Sequence, residues 1–198
     1  MSNLETWLAF TLRPDIEGGY QCIRNDGGNW TLGRFGRGRL VGTNHGISAP
    51  LLMAWLGRTP SVEDMMNIPP QAVRGIYDRE FAAPLLLEAL PAPSALIFDM
   101  AVQHGPHLTV QLVQRLVGMR QDGRMGPITA SAVAKYHGDF TADMEHAFLE
   151  MLATLGREWE EFGQDWRRRS TLRLTHARTL QPESPPTPTP APQNEPVA

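Results

Sequence analysis

The sequence predicts a mainly α-helical protein with a small loop-rich or β-hairpin lobe near residues 20–47 and a long helix near its C-terminal end. Apolar residues recur three and four positions apart along most of the chain, as they do in amphipathic helices. Between Asn25 and Gly46 this pattern stops, and seven glycines accumulate around the turn signal Asp26-Gly27-Gly28. The helical pattern resumes afterwards and is longest near the end of the chain.

The helices follow from this spacing in chain order. A short amphipathic helix is expected at 4–12, before Pro14, and another at 49–56. Ser61 is the expected N-cap of a third helix, because its hydroxyl can accept from the first turn. Further helices are predicted at 71–81, 96–102, 108–117 and 129–136, with 96–102 apolar enough to be buried.

The last predicted helix runs from Thr141, its expected cap, to about residue 169. Its apolar residues form one wide stripe, which predicts a helix face in the core. These residues are Met144, Phe148, Met151, Leu152, Leu155, Trp159, Phe162 and Trp166. Residues 181–198 contain seven of the seventeen prolines, so a disordered or extended tail is expected there.

Composition excludes several classes of function. A net charge of −3 argues against nucleic-acid binding. The apolar segments are too short to cross a membrane. The first ten residues lack the pattern of a secretory signal, so synthesis in the cytosol is expected. A lone Cys22 cannot form an internal disulfide and is expected to be a small, partly buried side chain. The six histidines show no metal-ligand spacing, so neither a metal nor an organic cofactor is expected.

The basic residues are almost all arginines and are unevenly distributed. One cluster contains Arg34, Arg37 and Arg39, and a later one contains Arg167, Arg168, Arg169 and Arg173. Arginine clusters suit anionic polymers that bear phosphate or carboxylate groups. The alternative is that each cluster is an ordinary solvated face.

Glu17 is the first candidate for chemistry. It follows the first predicted helix and precedes Gly18-Gly19-Tyr20, where the glycines let the backbone turn sharply. Partial burial beside Ile16 and Tyr20 would favour the protonated carboxyl group. The general acid of a glycosidase needs this property. The alternative is a surface glutamate at a helix end.

Asp26 and Thr43 are the next candidates, since both lie in the glycine-rich segment that would face Glu17. A second carboxylate would stabilise an oxocarbenium-like transition state or position water, and a threonine would orient water or substrate. The alternatives are an Asx-turn at Asp26 and a loop role for Thr43 and Asn44 before the helix that starts near Ser48.

Five ordered blocks of sequence resemble glycoside hydrolase family 108. They begin with Ile-Glu-Gly-Gly-Tyr at 16–20, Asp-Gly-Gly at 26–28 and Thr-Asn-His-Gly-Ile at 43–47. The later blocks are 98–106 and 114–129, and the second of these resembles the family's predicted peptidoglycan-binding region. That region ends in a segment rich in aromatic residues and terminated by arginine, and residues 162–169 are similar to it.

The resemblance implies a lysozyme-like helical fold and an N-acetylmuramidase, which cleaves the β-1,4 bond between N-acetylmuramic acid and N-acetylglucosamine. Glu17 would be the acid, with Asp26 and Thr43 beside it. The resemblance also indicates a catalytic region at 1–90, a helical region at 91–180 packed against the catalytic region, and the tail at 181–198. Candidate substrate-binding residues are Tyr20, Asn44, His45, Gln103 and His104.

The sequence departs from the family pattern in three places. Residues 29–42 are inserted between the Asp26 turn and Thr43, Gln103 replaces a common asparagine, and Asp165 replaces a common glycine. In the insertion, Trp30 is a candidate for stacking on sugar rings together with Phe35. The arginines of this segment are candidates for contacting carboxylates of the cell wall. The alternative is a mobile basic loop with a structural aromatic anchor.

Besides a weak alternative of nucleic-acid binding through the arginine clusters, two rival functions stay open on the sequence alone. A lytic transglycosylase would use the same acid but form a 1,6-anhydro product, and a non-catalytic peptidoglycan-binding or secretion-accessory protein would keep only the fold. The expected partner is the peptidoglycan glycan strand, reached through a holin or a secretion apparatus. A monomer that acts on peptidoglycan in the periplasm or cell wall, without stable membrane insertion, is expected.

Overall fold

The computed structural model describes residues 1–181 of the chain. The predicted proline-rich tail, except for Gln181, lies outside the described residues. Within the described part, the chain forms nine α-helices and one two-stranded antiparallel sheet. The predicted mainly α-helical class is therefore confirmed. None of the described helices is both long and apolar enough to span a membrane.

The first half of the chain contains short helices and the small sheet. Helix α1 (Asn3–Thr11) begins with a capping box between Ser2 and Glu5, and its buried face includes Trp7 and Phe10. The elements that follow are β1 (Tyr20–Gln21), β2 (Thr43–Asn44), α2 (Ala49–Leu56), α3 (Val62–Met66) and α4 (Pro70–Tyr77). Ser61 caps α3, as predicted.

The predicted hairpin lobe is present between α1 and α2. Strands β1 and β2 pair antiparallel, with Tyr20 opposite Asn44. The two ends of the inserted segment 29–42 lie side by side at the base of this lobe, where Trp30 and Leu40 form a β-bridge. The carbonyl oxygen of the buried Asn29 accepts hydrogen bonds from the amides of Val41 and Gly42. Because the two ends of the insertion are joined by these contacts, the chain continues directly into β2 after the inserted loop.

The second half of the chain is helical and closes over the first. Its helices are α5 (Ile97–His104), α6 (Pro106–Leu116), α7 (Pro127–Ala134), α8 (Phe140–Ala153) and α9 (Arg157–Thr179). Near the end of α9, His176 lies edge-on to Trp7 with ring centres 4.9 Å apart and stacks on Phe10 at 5.0 Å. The C-terminal helix is thereby packed against the N-terminal one.

The prediction of one long helix from Thr141 to about residue 169 is wrong. The chain forms two helices there, α8 and α9, because Gly156 adopts φ 58° and ψ −113°, which ends the helical path. The cap of α8 is Asp139 rather than Thr141, since the Asp139 carboxylate accepts from the amide of Ala142. The stripe splits accordingly. Met144, Phe148 and Leu152 of α8 are buried, whereas Phe162 on α9 is 43% exposed.

One hydrophobic core joins the two halves of the chain. It extends from Leu4 in α1 to Ala177 in α9, and α5 lies at its centre with Ile97, Phe98 and Met100 fully buried. Residues of the predicted regions 1–90 and 91–180 contribute to this same core. The division into those regions stays a prediction. Cys22, expected to be partly buried, is instead exposed in the hairpin lobe.

Candidate active site

Glu17 lies in a tight turn between α1 and β1. Its amide donates to the carbonyl oxygen of Thr11, and the amide of Gly18 donates to that of Arg13. A side chain at Gly18 would place its Cβ 2.5 Å from the Cα of Pro14, so only glycine fits this turn. The sequence prediction that glycines turn the chain just after the carboxylate is thus consistent with the local backbone.

Glu17 lines a cleft with a volume of about 550 Å³, in the range typical of ligand-binding sites. The structure brings Asp26, Thr43 and Gln103 to the same cleft, although they come from the hairpin lobe and from α5. Its wall is completed from the turn before β1, from β1, from the start of α2 and from α9. These lining residues are Asp15, Ile16, Gln21, Gly28, Gly46, Ser48, Val102, Asp165, Trp166, Arg168 and Arg169.

The surroundings of Glu17 are more polar than the sequence suggested. Its side chain is 24% exposed, and Oε1 accepts a 2.5 Å hydrogen bond from Nη1 of Arg169 in an ion pair. Glu17 is therefore partly buried, as expected, but its carboxylate is paired with a guanidinium group whose side chain is itself only 13% exposed. Oε2 lies on the side of Gly46, whose missing side chain leaves room for it.

Asp26 faces the cleft with both carboxylate oxygens already engaged. Oδ1 accepts from the amide of Gly28 at 2.8 Å, and Oδ2 accepts from Nδ2 of Asn29 at 2.7 Å. This is the Asx-turn arrangement, so Asp26 organises the loop and lines the cleft at once. Thr43 reaches the same cleft from β2 because the insertion closes at its base.

Arg169 belongs to a chain of charges that continues into the core. Its Nε and Nη2 donate to the fully buried Asp99 at 3.0 and 2.9 Å. Asp99 also accepts from Arg173 at 2.9 Å and from Thr11 at 2.8 Å. Arg173, itself fully buried, pairs with Glu145 of α8. The charges thus alternate in sign from Glu17 through both arginines to Glu145.

This network explains the titration of its central carboxylate. Burial by itself would raise the pKa of Asp99, but the adjacent guanidinium groups of Arg169 and Arg173 overcome that effect and lower the pKa to about 2. Asp99 is therefore a carboxylate at neutral pH. The late arginine cluster is also not simply a solvated face, because Arg169 and Arg173 are internal while Arg167 and Arg168 are exposed.

Five of the candidate substrate-binding residues lie outside the lining of the cleft. Tyr20 donates to the carbonyl oxygen of Val41, and Nδ2 of the buried Asn44 donates to carbonyl oxygens in α3. The carbonyl oxygen of His45 accepts from the buried Tyr77 hydroxyl. These contacts position the lobe, and the roles of the residues in substrate binding stay predictions. The remaining two candidates in this set are Trp30 and His104.

Trp30 closes the inserted loop. Its Nε1 donates to the carbonyl oxygen of Arg24 at 2.8 Å, and its ring meets Phe35 edge-on with centres 5.8 Å apart. Phe35 is 58% exposed, and the loop arginines beside it are exposed as well. The contacts favour a structural anchor at Trp30 and leave Phe35 as the more accessible ring of the pair.

His104 packs behind the cleft wall, edge-on to Phe148 at 5.6 Å and to Trp166 at 5.2 Å. Burial lowers its pKa to about 4, helped by the positive charges of Arg169 and Arg173. The neutral ring is therefore part of the folded state at neutral pH. Trp166, which the sequence placed only in the core stripe, lines the cleft and is held there by this contact.

The depressed pKa predicts acid sensitivity. Because an unfolded histidine has a pKa near 6.5, it takes up a proton before His104 in the folded protein, so stability falls as pH drops from 6.5 toward 4. His104→Phe should remove this loss, which we expect to be about 1–2 kcal/mol after allowance for partial exposure. Urea denaturation of both proteins at pH 7 and 4.5 measures it. An equal acid-induced loss in the two proteins would contradict the assignment.

The chain is similar to known proteins in both sequence and fold. The family model for glycosyl hydrolase 108 matches residues 10–105, which include Glu17, Asp26, Thr43 and Gln103. The structure of Brucella abortus SagA matches with a TM-score of 0.73 and 28% sequence identity, over 89% of this chain and 96% of that chain. No curated protein matches the chain.

A helical, lysozyme-like fold with a polar, carboxylate-lined cleft between its lobes defines the class: the protein is a glycoside hydrolase. More particularly, the protein carries a match to the glycosyl hydrolase 108 family model over residues 10–105. It is accordingly a hydrolase of peptidoglycan.

The sequence did not single out Arg169 as a partner of Glu17, nor Asp99 as the residue that fixes Arg169. One signal was available. Asp99 interrupts the otherwise apolar stretch 96–102, and an aspartate in a buried helix requires a charged or hydrogen-bonding partner. The partners lie about seventy residues further along the chain, which helix spacing cannot reveal.

Proposed function

We propose that the protein is an N-acetylmuramidase, which hydrolyses the β-1,4 bond between N-acetylmuramic acid and N-acetylglucosamine with Glu17 as the general acid. The observation that supports it most is the position of Glu17 in the cleft wall, fixed through Oε1 by Arg169. Oε2 receives no hydrogen bond from any described residue, and it is the oxygen we assign to carry the proton.

In this mechanism the glycan strand lies along the cleft and Glu17 protonates the glycosidic oxygen as the bond to the anomeric carbon breaks. Positive charge then develops on the sugar ring. Asp26 is one of three further carboxylates that line the cleft, with Asp15 and Asp165, and we assign to its negative charge the stabilisation of that ring. Water adds to the anomeric carbon, its released proton restores the acid form of Glu17, and the product is a reducing muramic-acid end. Thr43 orients this water or the substrate, and Gln103 hydrogen-bonds the sugar.

Lytic transglycosylation is a second candidate, favoured by one specific observation. Both oxygens of Asp26 accept hydrogen bonds within their own turn, which leaves less capacity to activate a water molecule. In that reaction the 6-hydroxyl group of the muramic acid replaces water, and the product is a 1,6-anhydro end. Glu17 would then act as the acid in the same way.

The two reactions are separated by mass spectrometry of fragments released from purified peptidoglycan. Reducing muramic-acid ends from the wild type, absent with Glu17→Gln, support the muramidase. Anhydro ends would assign the transglycosylase, and release of equal fragments by both proteins would refute Glu17 as the acid. Glu63→Gln is the matched control, because Glu63 is exposed on α3 outside the cleft. Its product pattern should equal that of the wild type.

The inserted loop, residues 29–42, is proposed to assist binding to the bacterial cell wall. Arg34, Arg37 and Arg39 are exposed and lie beside the hairpin lobe that supplies Asp26 and Thr43. Their charge suits carboxylates of stem peptides. A monomer that reaches the wall through a holin or another export route is the setting we propose for this activity.

A further inference from the structure

Two adjacent arginines of α9 hold the turn that presents Glu17. Arg169 donates to Oε1 of Glu17 at 2.5 Å. One position earlier, Arg168 donates to the backbone carbonyl oxygen and to Oδ2 of Asp15, both at 3.3 Å. Residues on both sides of Ile16 are therefore fixed to the same helix, which lies more than 150 positions further along the chain.

Arg169 is itself fixed independently of Glu17. Its Nε and Nη2 atoms make two parallel hydrogen bonds to Asp99, and its side chain is only 13% exposed. Arg173 also donates to Oδ2 of Asp99 and Thr11 donates to Oδ1, so further hydrogen bonds fix the carboxylate that holds Arg169. The remaining Nη1 of Arg169 points at Glu17. Protonation of Glu17 weakens one contact of this guanidinium and leaves two in place.

These arginines lie outside the segment that matches the family model, which ends at residue 105. The cleft nevertheless includes Asp165, Trp166, Arg168 and Arg169 from α9. We propose that Arg169 is a positioning residue for the glycosidase reaction, and that the active site is incomplete without α9. The inference deepens the proposed function and rests on the role of Glu17 as the acid.

The chemistry follows from the charge on Glu17 during the reaction. As the O–H bond of Glu17 breaks, the proton passes to the glycosidic oxygen, the bond from that oxygen to the anomeric carbon breaks, and the carboxyl group becomes a carboxylate. The Arg169 guanidinium stabilises this developing negative charge through a bond that is already aligned. The interaction is thus stronger in the transition state than in the ground state, so it should act on kcat rather than on KM.

The test uses the full chain and soluble, uncross-linked peptidoglycan strands as substrate. We expect Arg169→Met to lower kcat by about 100-fold or more, with KM changed less than about threefold. Arg169→Lys should recover part of the rate, because a lysine keeps the charge but cannot contact Asp99 with two bonds and Glu17 with a third. Arg168→Met, at a side chain that is 59% exposed, should fold normally and lower kcat by several-fold.

Arg167→Met is the matched control. Arg167 is a neighbouring arginine on α9 that lies over the ring of Trp159 and does not touch the cleft. Its kcat should equal that of the wild type. Circular dichroism and thermal melting check the fold of every variant. If Arg169→Met and Arg169→Lys both unfold, the kcat of Arg168→Met tests whether the active site needs α9.

The double variant Glu17→Gln/Arg169→Lys separates this inference from the proposed function. If Arg169 acts through Glu17, adding Arg169→Lys to Glu17→Gln lowers the residual rate no further. Folded arginine variants that keep the wild-type kcat, while Glu17→Gln retains only a small residual rate, would overturn the positioning role alone. The positioning role would also be overturned if Arg169→Lys lowered the rate by the same factor in the Glu17→Gln variant as in the wild type. Full activity of Glu17→Gln would instead refute the proposed acid.

Discussion

Replacing Asp99 by asparagine is expected to lower the free energy of unfolding by about 3–5 kcal/mol, because it removes the shared anion of two buried arginines. Asp99 is fully buried and accepts from Arg169, Arg173 and Thr11. Asparagine is nearly isosteric but neutral, and its amide hydrogens would face guanidinium groups that have only donors. Chemical denaturation at neutral pH measures the loss.

Asp15→Asn is the matched control for this prediction. Asp15 is also contacted by two arginines, Arg13 and Arg168, but its side chain is 34% exposed, so water screens the charges. We expect a much smaller loss there than at Asp99. Equal losses at the two positions would show that burial does not set the strength of the network.

The same carboxylate should contribute to acid unfolding. Since the pKa of Asp99 is lowered to about 2 from an ordinary value near 3.8, its contribution to stability is complete above pH 3.8 and is lost as pH falls toward 2. Asp99→Asn has no group to titrate in this window. Its stability should therefore change less than that of the wild type between pH 4 and 2.

Replacing Gly46 by alanine is expected to lower activity by about 100-fold, because the new methyl group would enter the space beside Oε2 of Glu17. The added Cβ would lie 3.0 Å from that oxygen and 2.7 Å from the Tyr77 hydroxyl. Tyr77 cannot easily retreat, since it is buried and donates a 2.7 Å hydrogen bond to the carbonyl oxygen of His45. Rates of peptidoglycan solubilisation by folded protein measure the effect.

Gly57→Ala separates crowding from backbone strain. Gly57 ends α2 with φ 66°, close to the 69° of Gly46, but a Cβ added there would meet no atom of the described residues within 4 Å. Both alanines should cost about 1–2 kcal/mol of stability through the left-handed backbone. Only the Gly46→Ala variant should lose activity. Equal activities of Gly46→Ala and Gly57→Ala would contradict the crowding of Glu17.

Most helices were predictable because their signals are local. The apolar spacing indicates α1, α2 and α5 to within a few residues, and a serine followed by an acidic residue indicates the start of α3. The boundary between α8 and α9 was missed because the apolar stripe continues across Gly156. In the structure, Met144, Phe148 and Leu152 are buried whereas Phe162 is exposed, a difference in burial that periodicity does not distinguish.

The cleft was predictable in part for a related reason. Glu17, Asp26 and Thr43 lie close in sequence, so their motifs indicate one site, and the structure places all three in one cleft. Arg169 is 152 residues from Glu17, and no local pattern connects them. The polar surroundings of Glu17 therefore depend on tertiary packing, in particular on where α9 crosses α1 and α5.

The distance in sequence between the two walls of the cleft also has a consequence for biosynthesis. One wall is translated by about residue 48, whereas the other waits for residues 165–169. At about 5–20 residues per second, a ribosome needs roughly 6–24 s to pass from the first wall to the second. Until α9 leaves the exit tunnel, the nascent chain has no closed cleft, so wall-degrading activity does not arise before the second wall has been made.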